Sequence, residues 1–275
     1  MEEVFRYPST TDLKYCDQAP FPHTLITDAW DRSVLSKCEE EINQFTNWDG
    51  EKEFFGAEKK RYCGDWGKLP PMVRNVIFEA STPRFLNWLE DLTGEKGLIP
   101  DPYLNGGGIH SITRGGYLKI HADFNWHEKI KLYRRLNLLL YLNSDWISDW
   151  GGDLELWDSK VSYCVRKIPP LQNYMVIFTT DPKSFHGHPH PLKSPEVVWR
   201  NSLALYYYSS KNPSTNFSLP RTYTDYRPTG GDTFQRYSII RSFFSPILKF
   251  LPSSLVFPFA FGDVRTFVCE KSRAD

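Results

Sequence analysis

The spacing of hydrophobic positions changes once along this chain, near residue 106. Residues 1–20 show no period and read as a lead-in, and 20–30 reads as a short strand entering a helix. Asp31 is placed to cap a helix over 33–45, where Val34, Leu35, Cys38 and Ile42 recur at helical spacing. Residues 46–68 are charged and aromatic without a steady period, which predicts a long loop or irregular strands. A second helix is expected over 71–92, with Val73, Ile77, Phe85, Trp88 and Leu89 as its apolar stripe. Pro83 is placed to divide it, and Gly94 and Gly97 to stop it.

Beyond Gly106 the period becomes two. Segments near 109–113, 117–122, 136–142, 153–157, 162–168, 174–179 and 198–208 are rich in Ile, Leu, Val, Tyr and Phe, with Gly, Pro, Asn and Asp between them. Short strands without alternating helices predict a sandwich or jelly roll, so the fold class is mainly β with flanking helices. Residues 209–232 read as a polar surface loop. The stretch 234–268 is apolar but broken by Pro246, Pro252 and Pro258, which rules against one long amphipathic helix. The organisation expected is one domain over 1–228, with helical support ahead of a β core at about 106–208. A C-terminal extension over 229–275 is expected to pack on that core or form a homodimer contact.

Composition narrows the function classes. Aromatic residues make up 16% of the 275, enough to bury a large core, so disorder is excluded. Lys plus Arg and Asp plus Glu number 33 each, which leaves no net basic field for general nucleic-acid binding. Cys16, Cys38, Cys63, Cys164 and Cys269 are odd in number and contain no CxxC, against a disulfide scaffold or a thiolate zinc site. The opening MEEVFRYPST lacks the basic and apolar regions of a signal peptide, and no apolar run is long enough for a transmembrane segment. A cytoplasmic protein is expected.

The candidate chemistry begins at IHADFN. On a strand, residues two apart face the same side, so His121 and Asp123 converge. Two histidines and one carboxylate suit iron(II) and leave positions open for a co-substrate and O2. SFHGHPHP offers His186, His188 and His190 as the third ligand, and the residues alone do not choose among them. Arg200 opens an apolar, tyrosine-rich strand where its guanidinium needs an anion, and a carboxylate matches its planar fork. Ser202 lies on the same strand face.

Read together, GGYLKIHADFN, RRLNLLLYLNSDW, GGDLELWD, FTTDPKSFHGHP and RNSLALYYY resemble the prolyl 4-hydroxylase-like branch of the iron(II)/2-oxoglutarate-dependent oxygenase superfamily. The resemblance implies a double-stranded β-helix, a cupin-like jelly roll. It implies iron(II) held by His121, Asp123 and His186. It also implies a carboxylate of 2-oxoglutarate held by Arg200, with Ser202 and Tyr141 assisting. His186 is favoured because residues 178–185 resemble the strand and turn before that ligand. Arg200 then lies 14 residues beyond His186, whereas His190 would restore the family's shorter spacing; the extra residues would form a loop at the site mouth.

The activity implied is that of a dioxygenase hydroxylating an unactivated carbon, with release of succinate and CO2 and with ascorbate as a stimulant. Asp123 stands where related halogenases carry a small residue, which argues for hydroxylation. A small-molecule substrate is favoured over a prolyl or other protein side chain, since no peptide-binding module or basic patch is visible. A non-catalytic cupin-like binding module is the competing class. Weaker features remain. Asn125, Trp126 and His127 are expected to face substrate or form a solvated turn, and the glycines at 106–108 to make a tight entry into a strand. Arg134 and Arg135, ahead of a core strand, are expected to form rim salt bridges.

Overall fold

Antiparallel pairing after residue 106 builds two sheets between which the chain crosses repeatedly. A computed structural model of the protein describes residues 4–54, 58–211 and 220–229, with the side chains of 52–59 outside that description. The expected C-terminal extension therefore lies, from 230 on, outside the described residues. The first half contains β1 (His23–Thr27), α1 (Arg32–Asn43), β2 (Gly50–Phe54), β3 (Glu58–Cys63), α2 (Pro71–Glu79), α3 (Pro83–Thr93) and β4 (Ile99–Pro100). Then come β5 (Gly108–Ile112), β6 (Leu118–Ala122), β7 (Trp126–His127), β8 (Leu132–Tyr141), β9 (Leu154–Trp157) and β10 (Cys164–Ile168). The last are β11 (Tyr174–Thr179), β12 (His186–His188), β13 (Arg200–Ser209) and β14 (Asp225–Tyr226).

One sheet runs β1-β11-β8-β13-β5 and the other β6-β12-β9-β10, joined by β3, which pairs with both β5 and β6. This is the expected double-stranded β-helix. Along β8 and β13 one face carries Leu136, Leu138, Leu140, Leu203, Leu205 and Tyr207. These pack against Leu35, Cys38 and Ile42 of α1, Val73, Val76 and Ile77 of α2, and Phe85, Trp88 and Leu89 of α3. Burying each leucine there stabilises by roughly 1.5–3 kcal/mol. The opposite face, with Asn137, Leu139, Tyr141, Arg200, Ser202 and Tyr206, lines a cavity inside the barrel.

The helical predictions hold in mechanism as well as place. Asp31 accepts from the backbone N–H groups of Ser33 and Val34, capping α1. Pro83 does divide the second helical stretch, standing first in α3 behind the Thr82 cap, and Gly94 ends it at φ +76°. Gly108 enters β5 at φ +85°, where a Cβ would overlap the Cys63 carbonyl. No helix among the described residues is long and apolar enough to cross a membrane.

Two expectations are corrected. Residues 46–68 contain a regular hairpin, β2 with β3, whose pairing onto β5 and β6 supplies order that a charged local pattern does not advertise. The polar stretch 209–232 is not all surface loop. Within it β14 pairs with β6, Asp225 opposite Ala122 and Tyr226 opposite His121.

Candidate active site

β12 lies beside β6 with His186 across from His121, their ring centroids 4.4 Å apart. Each imidazole is held from behind. Nδ1 of His121 lies 2.8 Å from the Lys119 carbonyl oxygen, and Nδ1 of His186 lies 2.9 Å from that of Ser184. A carbonyl oxygen only accepts, so each Nδ1 carries and donates a proton, and in the neutral ring the nitrogen left with a free lone pair is Nε2. Asp123 follows immediately on β6, with Oδ1 3.4 Å from Nε2 of His121 and Oδ2 3.5 Å from Nε2 of His186. One donor atom from each of these three residues lies within 4.8 Å of the other two.

The carboxylate is positioned by two neighbours on β8. Arg134 Nη2 donates to Asp123 Oδ2 at 3.0 Å, and Asn137 Nδ2 donates to the same oxygen at 2.6 Å. Arg134 Nε also donates to Asn137 Oδ1 at 2.6 Å, and its guanidinium lies 3.3 Å over the Tyr206 ring. Burial by itself would raise the Asp123 pKa, but the Arg134 charge, then His186 and His121, hold it well below the usual carboxylate range. Burial, reinforced by His121, pushes His186 down to about 4. At neutral pH, then, His186 presents a neutral nitrogen and Asp123 an anionic oxygen. The donor set suits a borderline divalent metal such as iron(II) and leaves coordination positions open toward the cavity.

Arg200 occupies the other end of that cavity. It is buried, donates through Nε to the Gly152 carbonyl oxygen at 2.7 Å and through Nη2 to the Tyr141 hydroxyl at 3.3 Å. It forms no ion pair with a described carboxylate; Asp153 is near enough to feel its charge but does not reach it. Ser202 faces the same cavity and stands opposite Tyr141 in the β13–β8 register. Burial raises the Tyr141 pKa against the pull of Arg200, so its hydroxyl stays protonated and able to donate.

Of the three downstream histidines, His186 joins the cluster, His188 lines the cavity and His190 is exposed outside β12. The additional residues before Arg200 do not form the cavity wall. Their Leu192 is buried against Ile112 and Trp146, and its backbone bonds to Gly115 and Gly116. Asn125, Trp126 and His127 neither face the cavity nor form a solvated turn. Asn125 accepts from the Arg221 backbone N–H, Trp126 packs on Tyr133, and His127 is buried beside Asp101.

Arg134 and Arg135 also depart from expectation. Arg135 does form a salt bridge, with Glu95 at 2.6 Å, but both arginines are buried within β8, and Arg134 belongs to the site. The cause is a bulge. Tyr207 pairs with Leu136 but Tyr208 pairs with Arg134, so Arg135 is skipped and Arg134 turns to the same side as Asn137. A second contribution comes from 220–229. Arg221 Nη2 donates to the Asp123 carbonyl oxygen at 2.6 Å, and the Tyr226 ring lies 5.4 Å from that of His121. A polar, aperiodic segment carries no signal for either contact.

Comparison with known proteins agrees with this geometry. Residues 107–208 match the model of the 2OG-Fe(II) oxygenase superfamily. A stretch of 93 residues is 33% identical to prolyl 3-hydroxylase OGFOD1 of Mus musculus, covering 32% of this chain and 17% of that protein's length. The fold resembles a prolyl 4-hydroxylase from Phytophthora capsici, with TM-score 0.54 and 18% identity over 88% of this chain and 77% of that one. It also resembles a prolyl hydroxylase from Trichoplax adhaerens solved with a hypoxia inducible factor oxygen degradation domain peptide fragment. There the TM-score is 0.51 and the identity 16%, over 72% of this chain and 88% of that one. At such identities the structural likeness speaks for the fold, while the motif-bearing segment carries the kinship. Residues 107–208, somewhat more than a third of the chain, thus resemble the 2OG-Fe(II) oxygenase superfamily.

Proposed function

We propose that the protein is an iron(II)- and 2-oxoglutarate-dependent dioxygenase that hydroxylates a carbon of its substrate. The observation that carries this reading is one cavity with a metal-competent His-Asp-His cluster at one end and, at the other, a buried arginine without a carboxylate partner among the described residues. His121 and His186 offer Nε2 and Asp123 offers Oδ1 to iron(II). Arg200, with Tyr141 and Ser202, receives the far carboxylate of 2-oxoglutarate, whose reacting end is thereby directed at the metal. Bound iron(II), with 2-oxoglutarate and O2, supplies oxidation of a C–H bond with release of succinate and CO2.

The chain's own residues then orient and exclude. Arg134 and Asn137 occupy Asp123 Oδ2, so that the carboxylate presents one oxygen. Thr224 and Tyr226 line the cavity beside β6 and limit entry of water on that side. A small-molecule substrate is the first reading, since no peptide-binding module is evident among the described residues. A second reading, hydroxylation of a prolyl side chain in a protein, draws support from the 33% identity to a prolyl 3-hydroxylase. The test is succinate release with iron(II) and 2-oxoglutarate, run with free amino acids and with proline-containing peptides. Iron-dependent succinate formation, absent in Asp123→Ala, is expected, and the stimulating substrate class decides between the readings. No iron-dependent succinate under any condition would overturn both.

A further inference from the structure

His188 has the burial of a core residue, but its ring is not hydrogen-bonded as a buried histidine usually is. It is only 4% exposed, yet neither Nδ1 nor Nε2 has a hydrogen-bond partner among the described residues. An imidazole left unsatisfied in this way costs about 1–3 kcal/mol, so a purely structural histidine would be expected to find a carbonyl, as His121 and His186 do. Its ring lines the same cavity as the His-Asp-His cluster and Arg200.

The backbone holds it there. His186 and His188 are two apart on β12 and so share its cavity face, while β6 takes up an extra residue between their partners His121 and Leu118. Between them Gly187 is pressed against β6: a Cβ on it would lie 2.6 Å from the Leu118 carbonyl oxygen and 2.8 Å from that of Lys119. The close approach needs glycine and leaves the strand little room to turn His188 away. Around the ring the charges are cationic, with Arg200 foremost and Lys60 after it. Arg200 itself has Nε engaged by Gly152 and one Nη2 proton by Tyr141, which leaves Nη1 without a described partner. A buried pocket lined by an arginine, a lysine, an imidazole and two hydroxyls is rich in hydrogen-bond donors and suits an anion.

We infer that His188 is a binding residue for the distal carboxylate of the 2-oxo-dicarboxylate co-substrate, donating an N–H to the oxygen that Arg200 does not fully serve. The inference rests on the co-substrate reading above and adds to it a residue that discriminates a dicarboxylate from a 2-oxo-monocarboxylate. An anion satisfies the ring and the guanidinium together, which neither does for the other.

The test is anaerobic calorimetric titration of iron(II)-loaded wild type, His188→Leu and His188→Gln, each shown folded by its melting temperature. The two ligands are 2-oxoglutarate and 2-oxopentanoate, the same chain length without the distal carboxylate. For 2-oxoglutarate the Leu variant is expected to bind about 10- to 100-fold more weakly. The Gln variant, which keeps an N–H donor, should recover much of that loss. For 2-oxopentanoate all three proteins should bind alike. Unchanged 2-oxoglutarate affinity in His188→Leu, or an equal loss for both acids, would overturn the inference while leaving the co-substrate reading intact. A wild type that binds neither acid would overturn that reading, and this inference with it.

Discussion

Where His121, Asp123 and His186 meet, each side chain has a protein partner behind it; where Arg200 enters the same cavity, several donors have none among the described residues. At the first end two backbone carbonyls fix the imidazoles, and Arg134 with Asn137 fixes the carboxylate. At the second, Gly152 and Tyr141 hold one side of Arg200, and the His188 ring has no hydrogen-bond partner among the described residues. The difference follows from the ligand each end is suited to. A point cation with directional preferences is best met by donors already in place. On the proposed reading, a flexible dicarboxylate brings its own acceptors and satisfies the buried donors of Arg200 and His188.

The contrast breaks most completely at the pinned end. His186→Ala should abolish iron retention and with it 2-oxoglutarate turnover, whereas His190→Ala, outside β12 and exposed, should leave both intact. Metal content after desalting reads this directly; activity surviving in His186→Ala and vanishing in His190→Ala would reverse the assignment. At the open end, Arg200→Ala should weaken 2-oxoglutarate binding by about 30- to several-thousand-fold, equivalent to roughly 2–5 kcal/mol, with resting iron affinity nearly unchanged. Lysine keeps the charge but loses the planar fork, so Arg200→Lys should recover only part of it. Equal dissociation constants in folded wild type and Arg200→Ala would make the arginine structural.

A smaller effect sharpens the idea of support from behind. Arg134→Met removes the guanidinium from Asp123 Oδ2 but leaves all three metal-facing atoms in place. Iron affinity should fall about 10- to 100-fold, the range for loss of an outer partner. An iron titration showing no change would mean that Asn137 alone positions the carboxylate.

How much of this was readable from the chain depends on whether pairing in space overrode local spacing. The period-two pattern placed β5, β6, β8, β9, β10, β11 and β13, and Asp31, Pro83 and Gly94 marked helix ends by chemistry that acts within a few residues. HxD on a strand brought His121 and Asp123 together for the same reason. Arg134 was lost because counting back by twos from Tyr141 leads to Arg135, and only the bulge against Tyr207 and Tyr208 reverses the two arginines. β12 is three residues long and owes its strand form to β6 and β9 on either side. The approach of 220–229 to His121 is likewise a tertiary event with no local period.

The smallest expected effect lies away from the cavity and serves as its control. His23 is buried on β1, its Nδ1 directed at the Phe21 carbonyl and its Nε2 accepting from Arg166 Nη1 at 2.8 Å. Burial first, and the Arg166 charge with it, depress its pKa below the ordinary histidine value. Above about pH 6.5 both folded and unfolded chains leave it neutral. As the pH falls below that, the unfolded chain takes up the proton first, so stability is lost toward the depressed folded value. His23→Gln should therefore lessen the fall in denaturant midpoint between pH 7.5 and 5.5 without altering 2-oxoglutarate affinity. Equal falls in the two proteins would show that His23 does not contribute to this acid sensitivity.

The central claim is that one cavity seats a metal at its pinned end and a dicarboxylate at its open end. An anaerobic crystal structure with iron(II) and 2-oxoglutarate tests it most directly. The account expects iron on Nε2 of His121, Oδ1 of Asp123 and Nε2 of His186, with the distal carboxylate on Arg200 and within hydrogen-bond reach of His188. Iron on His188 or His190, or a carboxylate seated away from Arg200, would contradict it.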